Sequence, residues 1–352
     1  MRLLVVTQAA DLDDPLLSFF HRWIIEFAKH CEQLHIICLK DGRHNLPGNV
    51  LVHSLGKERG RSRLKYLFRF YKYVWKLRHQ YDSVFVHMNP EYIVLAGFLW
   101  RLWNKKIVLW YVHRQRSLIL RVAGWFSDSI CTSAKRSINL GSKKVKIVGH
   151  GIDVSLFSSQ PIRAVNRKTP RIVSVGRIAY IKNLEVLIEA IARLRDSRID
   201  ATLDLIGEPI YGRDKEYKRS LRTLALSRKL EKKVIFVGSV PNNEMPERYA
   251  MYDLTINLAP TGGIDKAILE AMAAGVPVLV SNKSFKEYLG TLSEILMFAE
   301  RDPDDLARKA LSLFKRDDLM SVQERLRNLA HEKADVSNVV SAIMNQFYAP
   351  RD

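Results

Sequence analysis

Cysteine is scarce in this 352-residue chain: Cys31, Cys38 and Cys131, odd in number and without metal-ligand spacing. They read as reduced core thiols of a cytosolic protein rather than as a disulfide framework or a metal site. No apolar run reaches the roughly 18 residues that would cross a bilayer. The N-terminus, Met1 and Arg2 followed by Leu3 to Thr7, lacks a signal peptide's length and small-residue cleavage site and is expected to form a first β-strand. There is no Walker phosphate loop and no Gly-x-Gly-x-x-Gly, so kinase and dinucleotide-binding readings lose their main support. Acid is short in one half only. Residues 1–150 hold 25 Lys and Arg against 10 Asp and Glu, a net +15, while the remainder holds 31 against 27, a net +4. That asymmetry calls for an anionic partner of the first half: membrane lipid, nucleic acid or a phosphorylated substrate. No RNA- or DNA-binding motif accompanies it.

What is present is globular: 47% apolar and 26% charged residues, arranged as short apolar runs between amphipathic stretches. Strands are expected at Leu3–Thr7, Leu34–Leu39, Ser83–His87, Lys106–Val112, Ser129–Thr132 and Val145–Val148. Helical patterns lie near 18–30, 62–79, 91–102 and 116–125. Residues 158–169 lose this periodicity and read as a linker. The alternation restarts with strands at Arg171–Val175, Ala201–Ile206, Val234–Val237, Leu254–Leu258 and Val276–Val280. A helix follows Asn183, a plausible N-cap. The pattern predicts an α/β protein of two doubly wound, Rossmann-like domains facing across a cleft. The expected boundaries are residues 1–160 and 170–332, with 333–352 as a C-terminal helix packing back on the N-terminal domain. In such sheets ligands bind beyond the carboxyl ends of the strands.

Two segments at strand ends have the residue types for binding a nucleotide diphosphate. In the first, Val175-Gly176-Arg177-Ile178-Ala179-Tyr180-Ile181-Lys182-Asn183, two cations in one loop suit a diphosphate and its charge on departure. The alternative is a pair of solvated loop cations. In the second, Thr261 to Val278, a Gly-Gly turn leads into a helix that Gly275 stops and Pro277 keeps stopped. Gly262, Gly263 and Ile264 would present amides to an anion there. Glu270, about one turn into that helix, has the chemistry to accept hydrogen bonds from vicinal ribose hydroxyls. The alternative is a surface Glu270–Lys266 pair.

Together these segments resemble the family 4 retaining glycosyltransferases, the two-Rossmann GT-B group. The resemblance runs through Val145–Asp153, Gly176-Arg177 with Lys182, Val237-Gly238 with Val240-Pro241, and Glu270-Ala271-Met272-Ala273-x-Gly275-x-Pro277-Val278. It implies that Arg177 and Lys182 bind the donor diphosphate, that Glu270 holds the ribose, and that the turn from Gly238 to Val240 flanks the base. It also implies retention of anomeric configuration, no metal ion, and no cofactor beyond the nucleotide diphosphate sugar as donor substrate. Two departures stand out. Gly262 lies eight residues before Glu270, where the family places a second Glu near the donor sugar; Asp265 is the candidate substitute and leaves the sugar open. The family's N-terminal Gly-Gly loop is replaced by Gln8 to Pro15, whose Asp11-x-Asp13 invites, without supporting, a metal reading.

In the first half, His113 follows an apolar strand, and the resemblance puts it beside the donor sugar, where a neutral imidazole bonds a hydroxyl. His87 ends another strand and reads as structural or acceptor-side; His150 reads as a loop residue. Lys57–Arg78 carries 9 basic residues and one acid, Glu58, interleaved with aromatics, the composition of a helix that inserts at an anionic membrane surface. Aromatics packed on the sheet with solvated cations are the alternative. The expectation is a cytoplasmic hexosyltransferase, peripheral on the inner face of the cell membrane, acting on a lipid-linked or polysaccharide acceptor and binding no nucleic acid. Its rivals are an epimerase-type enzyme on the same fold and a non-enzymatic anionic-lipid or nucleic-acid binder.

Overall fold

The computed structural model describes residues 1–14, 17–60, 62–115 and 117–351. Pro15 of the expected N-terminal loop, Arg61 of the basic stretch and Arg116 of the expected 116–125 helix lie outside the described residues. The chain divides into one unit of Met1–Gly151 with Asp335–Asp352 and another of Ile152–Ala334.

The first unit is a parallel sheet of β1 (Arg2–Ala10), β2 (Gln33–Asp41), β3 (Val50–Ser54), β4 (Ser83–His87), β5 (Lys106–Trp110), β6 (Ser129–Thr132) and β7 (Val145–Ile147), in the order β3-β2-β1-β4-β5-β6-β7. Strand β1 is buried almost along its length because helices cover both faces of the sheet. Its side chains alternate: Leu3 and Val5 join one core with Trp23, Phe27, Val340 and Ile343, while Leu4 and Val6 join the other with Phe70, Val74, Trp100 and Leu120. The helices Phe20–Lys29 and Val336–Tyr348 thus pack on one face, and Arg63–Lys76, Pro90–Leu102 and Leu118–Phe126 on the opposite face.

The second unit is a parallel sheet of β8 (Arg171–Val175), β9 (Thr202–Ile206), β10 (Val234–Gly238), β11 (Leu254–Asn257) and β12 (Val278–Val280), ordered β10-β9-β8-β11-β12. The winding reverses between β8 and β11, which pair through Leu254 with Ile172. In doubly wound sheets, the loops leaving two such strands at their carboxyl ends are where ligands bind. Residues 158–169, read as a linker, belong to this unit: Arg163 pairs with buried Asp253 at 2.7 Å.

Sequence periodicity missed β3, an edge strand only partly buried, which therefore carries little apolar alternation. Asn183 makes no side-chain cap. It sits in the left-handed region and donates instead to the Leu258 carbonyl at 3.1 Å, while the Leu184 amide is met by the Tyr217 hydroxyl at 2.7 Å. The last expected strand begins at Val278 rather than Val276, because Gly275 turns the chain at φ +74° and Pro277 has no amide to give a ladder.

Candidate functional site

Strand β8 ends in Gly176 and Arg177, and three neighbouring strands share one device. Gly176, Gly207 and Gly238 terminate β8, β9 and β10 with φ of 141°, 135° and 91°. The Gly207 amide donates to the Gly238 carbonyl at 2.8 Å, and that of Gly176 to Ile206 at 2.9 Å. A methyl group on Gly207 would lie 2.1 Å from the Gly176 carbonyl oxygen, so the chains approach as only glycine permits. This close packing turns the β8 loop across the sheet end. There the Arg177 guanidinium rests over the Tyr211 ring, 5.5 Å from its centroid.

The other lip comes from β11. Its last residue, Asn257, donates through Nδ2 to Asp265 Oδ2 at 2.9 Å, and Lys182 Nζ reaches the same oxygen at 2.6 Å. The second Asp265 oxygen accepts the Ala267 amide at 3.3 Å, capping the helix Lys266–Ala273. Asp265 therefore lies on the Lys182 side of the turn and joins the two loops at the switch point. Burial acts to raise its pKa, but the Lys182 ammonium, the Asn257 amide and the Ala267 N–H outweigh it and hold the carboxyl below its ordinary range.

Glu270 is not the surface residue that a bare Glu-Lys spacing allows: it is 5% exposed. Asn242 Nδ2 donates to its Oε1 at 3.3 Å. Burial pushes its pKa up, against the opposing pull of Lys266. Lys266 is shifted down by the same burial, opposed by Glu270 and Asp265. A buried carboxylate with spare acceptor capacity, at the edge of a strand-end crevice, suits the capture of hydroxyl groups from a ligand.

In the Gly262–Ile264 turn, expected to present amides to an anion, the first amide has a partner within the protein. The Gly262 amide donates to Asn282 Oδ1 at 3.3 Å, the Gly262 carbonyl accepts Ser284 Oγ at 2.6 Å, and Asn282 Nδ2 donates to the Gly263 carbonyl at 2.8 Å. Neither glycine has a positive φ, and Ile264 is buried. The turn is held by the loop after β12. Beyond β10, Gly238 and Val240 remain half-exposed, and the Glu208 carboxylate, paired with Lys218 at 2.8 Å, stands beside Gly238.

Arg177, Lys182, Gly238, Val240, Gly262–Ile264, Asp265 and Glu270 all fall at the carboxyl ends of the second unit's strands. His113 lies in the first unit, past the end of β5, solvent-exposed with its ring edge-on to Tyr111 at 5.7 Å. His87 is a core residue: it bonds Thr7 Oγ1 at 3.2 Å and stacks on Phe20 at 4.0 Å. His150 is buried among Phe19, Trp23 and Trp110. Asp11 and Asp13 are each engaged by a cation, Lys40 and Arg43, both at 2.7 Å. Asn257, Asn242, Tyr211 and Gly207 were not anticipated. Only Gly207 had a readable signal, a glycine directly after the expected strand Ala201–Ile206.

Residues 158–333 match the model of a protein family described as Glycosyl transferases group 1. The chain is 29% identical over 195 residues to the putative colanic acid biosynthesis glycosyltransferase WcaL of Escherichia coli K12, covering 53% of this chain and 46% of the relative. It is 23% identical over 269 residues to the alpha-monoglucosyldiacylglycerol synthase of Streptococcus pneumoniae R6, covering 66% and 59%. It thus spans about half the length of the curated relatives it matches. Among solved structures it is similar to Anabaena Alr3699/HepE in complex with UDP, with a TM-score of 0.77, 17% identity, and coverage of 98% of this chain and 99% of that one. That likeness shows the fold: two parallel-sheet, Rossmann-like α/β domains of the GT-B class.

Proposed function

The chain belongs to the glycosyl transferases group 1 family, and on that premise we propose that it moves a hexosyl unit, with retained configuration, from a nucleotide diphosphate sugar to a lipid-linked or polysaccharide acceptor. What supports the reading is that Arg177 and Lys182 follow β8 and buried Glu270 follows β11, paired strands at the switch point of one sheet, with Lys182 held at 2.6 Å by Asp265. Arg177 and Lys182 hold the diphosphate, beside the turn of Gly262, Gly263 and Ile264; Glu270 accepts from the ribose hydroxyls; the turn from Gly238 to Val240 flanks the base. Asp265 positions Lys182, and His113 bonds a sugar hydroxyl.

In the transfer step the bond from the anomeric carbon to the diphosphate oxygen breaks and one to the acceptor oxygen forms on the same face. The acceptor proton passes to the departing phosphate, whose growing charge the two cations stabilise. No metal ion enters this step. The S. pneumoniae relative is named for a diacylglycerol product and WcaL for colanic acid biosynthesis, which supports a lipid or glycan acceptor. The reading includes peripheral binding to an anionic membrane through residues 57–78, at the inner face of the cell membrane; among the described residues no helix is long and apolar enough to cross one.

Incubation with UDP-, GDP- and ADP-sugars, with and without diacylglycerol or glycan acceptors, tests the proposal. Sugar transfer that requires an acceptor supports it. A sugar changed without any acceptor identifies an epimerase, and no consumption of any donor overturns the reading.

A further inference from the structure

Three helices on one face of the first unit's sheet turn apolar side chains outward as well as inward. Arg63–Lys76, Pro90–Leu102 and Leu118–Phe126 feed Phe70, Trp100 and Leu120 into a single core layer, so they lie on the same side of the sheet. They are bound edge to edge. The Tyr71 hydroxyl donates to the Leu95 carbonyl at 2.9 Å, Trp75 meets Trp103 at 5.6 Å between centroids, and Arg101 Nε donates to the Phe126 carbonyl at 2.8 Å. Their outward faces are therefore continuous. On the first helix Leu64, Phe68 and Trp75 are exposed, along one stripe. On the second, Phe98 and Leu102 are 67% and 68% exposed, and on the third, Leu118 and Trp125 are 75% and 71% exposed. Single exposed apolar residues are ordinary; a patch that continues across three packed helices is not.

Charge selects the occupant. The three helices carry seven Lys and Arg and one acid, Glu91. A second copy meeting this face through a two-fold axis would oppose cation to cation. A nucleic acid would use the cations and leave Phe98, Leu102, Leu118 and Trp125 in water. An anionic bilayer satisfies both: phosphate headgroups for the cations, acyl boundary for the apolar tips, and an interfacial depth that suits Trp and Tyr.

We propose that the membrane-docking surface is a three-helix platform in which Pro90–Leu102 and Leu118–Phe126, outside the basic 57–78 stretch, supply the inserting half. Phe98, Leu102, Leu118 and Trp125 enter the lipid, and the cations of Arg63–Lys76 hold the headgroups. This rests on the membrane part of the proposed function and not on the donor site.

The test is flotation of the full chain with phosphatidylcholine vesicles containing or lacking phosphatidylglycerol. The triple variant Phe98→Gln, Leu118→Gln, Trp125→Gln is compared with Lys65→Glu, Lys72→Glu; all five side chains are exposed, and an unchanged melting temperature and UDP response certify the fold. The triple variant is expected to lose at least about tenfold in partitioning while keeping its preference for anionic vesicles, and the charge variant to lose that preference. A triple variant that partitions like the wild type, beside a charge variant that does not, restricts docking to Arg63–Lys76 and overturns the platform. Wild-type protein that floats with no vesicle, yet still responds to UDP, overturns membrane docking altogether and leaves the transferase reading standing. Self-association that the triple variant abolishes, without vesicle binding, assigns the face to a second copy and also overturns the proposal.

Discussion

Replacing Asp265 by Asn separates two things that one carboxylate does. Asn caps a helix about as well as Asp, so the Ala267 amide keeps its acceptor and the helix its start. What disappears is the ion pair with Lys182, 2.6 Å long between side chains that are 22% and 20% exposed, together with the Asn257 bond to the same oxygen at 2.9 Å. A hydrogen bond to a charged partner is worth about 1.5–3 kcal/mol net, so D265N is expected to lose about that much in urea unfolding at neutral pH. Asp265→Ala is expected to lose about 1 kcal/mol more, for the cap. The folded-state pKa lies below the ordinary 3.8. The contribution is therefore full above that ordinary value and fades as pH falls through the lowered one, and the gap between wild type and D265N closes with it. Combined with K182M, the cycle is expected to show about 1–2 kcal/mol of coupling. Asp265 also competes with any diphosphate for the Lys182 ammonium. D265N is accordingly expected to bind whichever of UDP, GDP and ADP the wild type takes, and no more weakly than wild type does, whereas K182M binds it more weakly. Coupling below about 0.5 kcal/mol would refute the claim that Asp265 positions Lys182.

Two other outcomes follow from the strand ends. Gly207→Ala forces a Cβ to 2.1 Å from the Gly176 oxygen at a φ of 135°. It is expected to cost about 2–5 kcal/mol in denaturant unfolding, and a cost under about 0.5 kcal/mol contradicts the tight packing. Glu270, with its pKa raised above 4.5, takes up a proton earlier than an exposed Glu as pH falls. Affinity for whichever of UDP, GDP and ADP the wild type binds is expected to decline across that window in wild type and to stay flat in Glu270→Gln. The same shift has the folded state binding more protons than the unfolded one, so stability falls as pH rises through it. Glu270→Gln is therefore expected to melt higher than unliganded wild type at neutral pH.

The sheets were legible in the sequence because parallel strands covered on both faces read as short apolar runs, as at Leu3–Val6 and Val278–Val280. The lone exception, β3, is an edge strand whose side chains are mostly half-exposed, so burial wrote no pattern into it. Arg177, Lys182 and Glu270 could be picked out because each sits just past a strand end or one turn into a helix. Their relations could not. Lys182 and Asp265 are 83 residues apart, and only the order of β8 beside β11 brings them together. The Gly262 turn is held by Asn282 and Ser284 from the next loop, partners that the Gly-Gly spacing does not announce. The helix Val336–Tyr348 was expected on the N-terminal domain and shows its apolar face at Val336, Val339, Val340 and Ile343, but nothing local says that this face meets β5 and the helix Phe20–Lys29.

Calorimetric titration of UDP, GDP and ADP into wild type, Arg177→Ala and Glu270→Gln bears on the donor site without intermediaries. Wild type is expected to bind at least one of the three. At a hundredfold excess over Kd that ligand should add about 2.7 kcal/mol of stability. Each variant should bind it at least about tenfold more weakly, ~1.4 kcal/mol. Binding of none of the three to wild type, or equal binding to all three proteins, would contradict a nucleotide site built from Arg177 and Glu270.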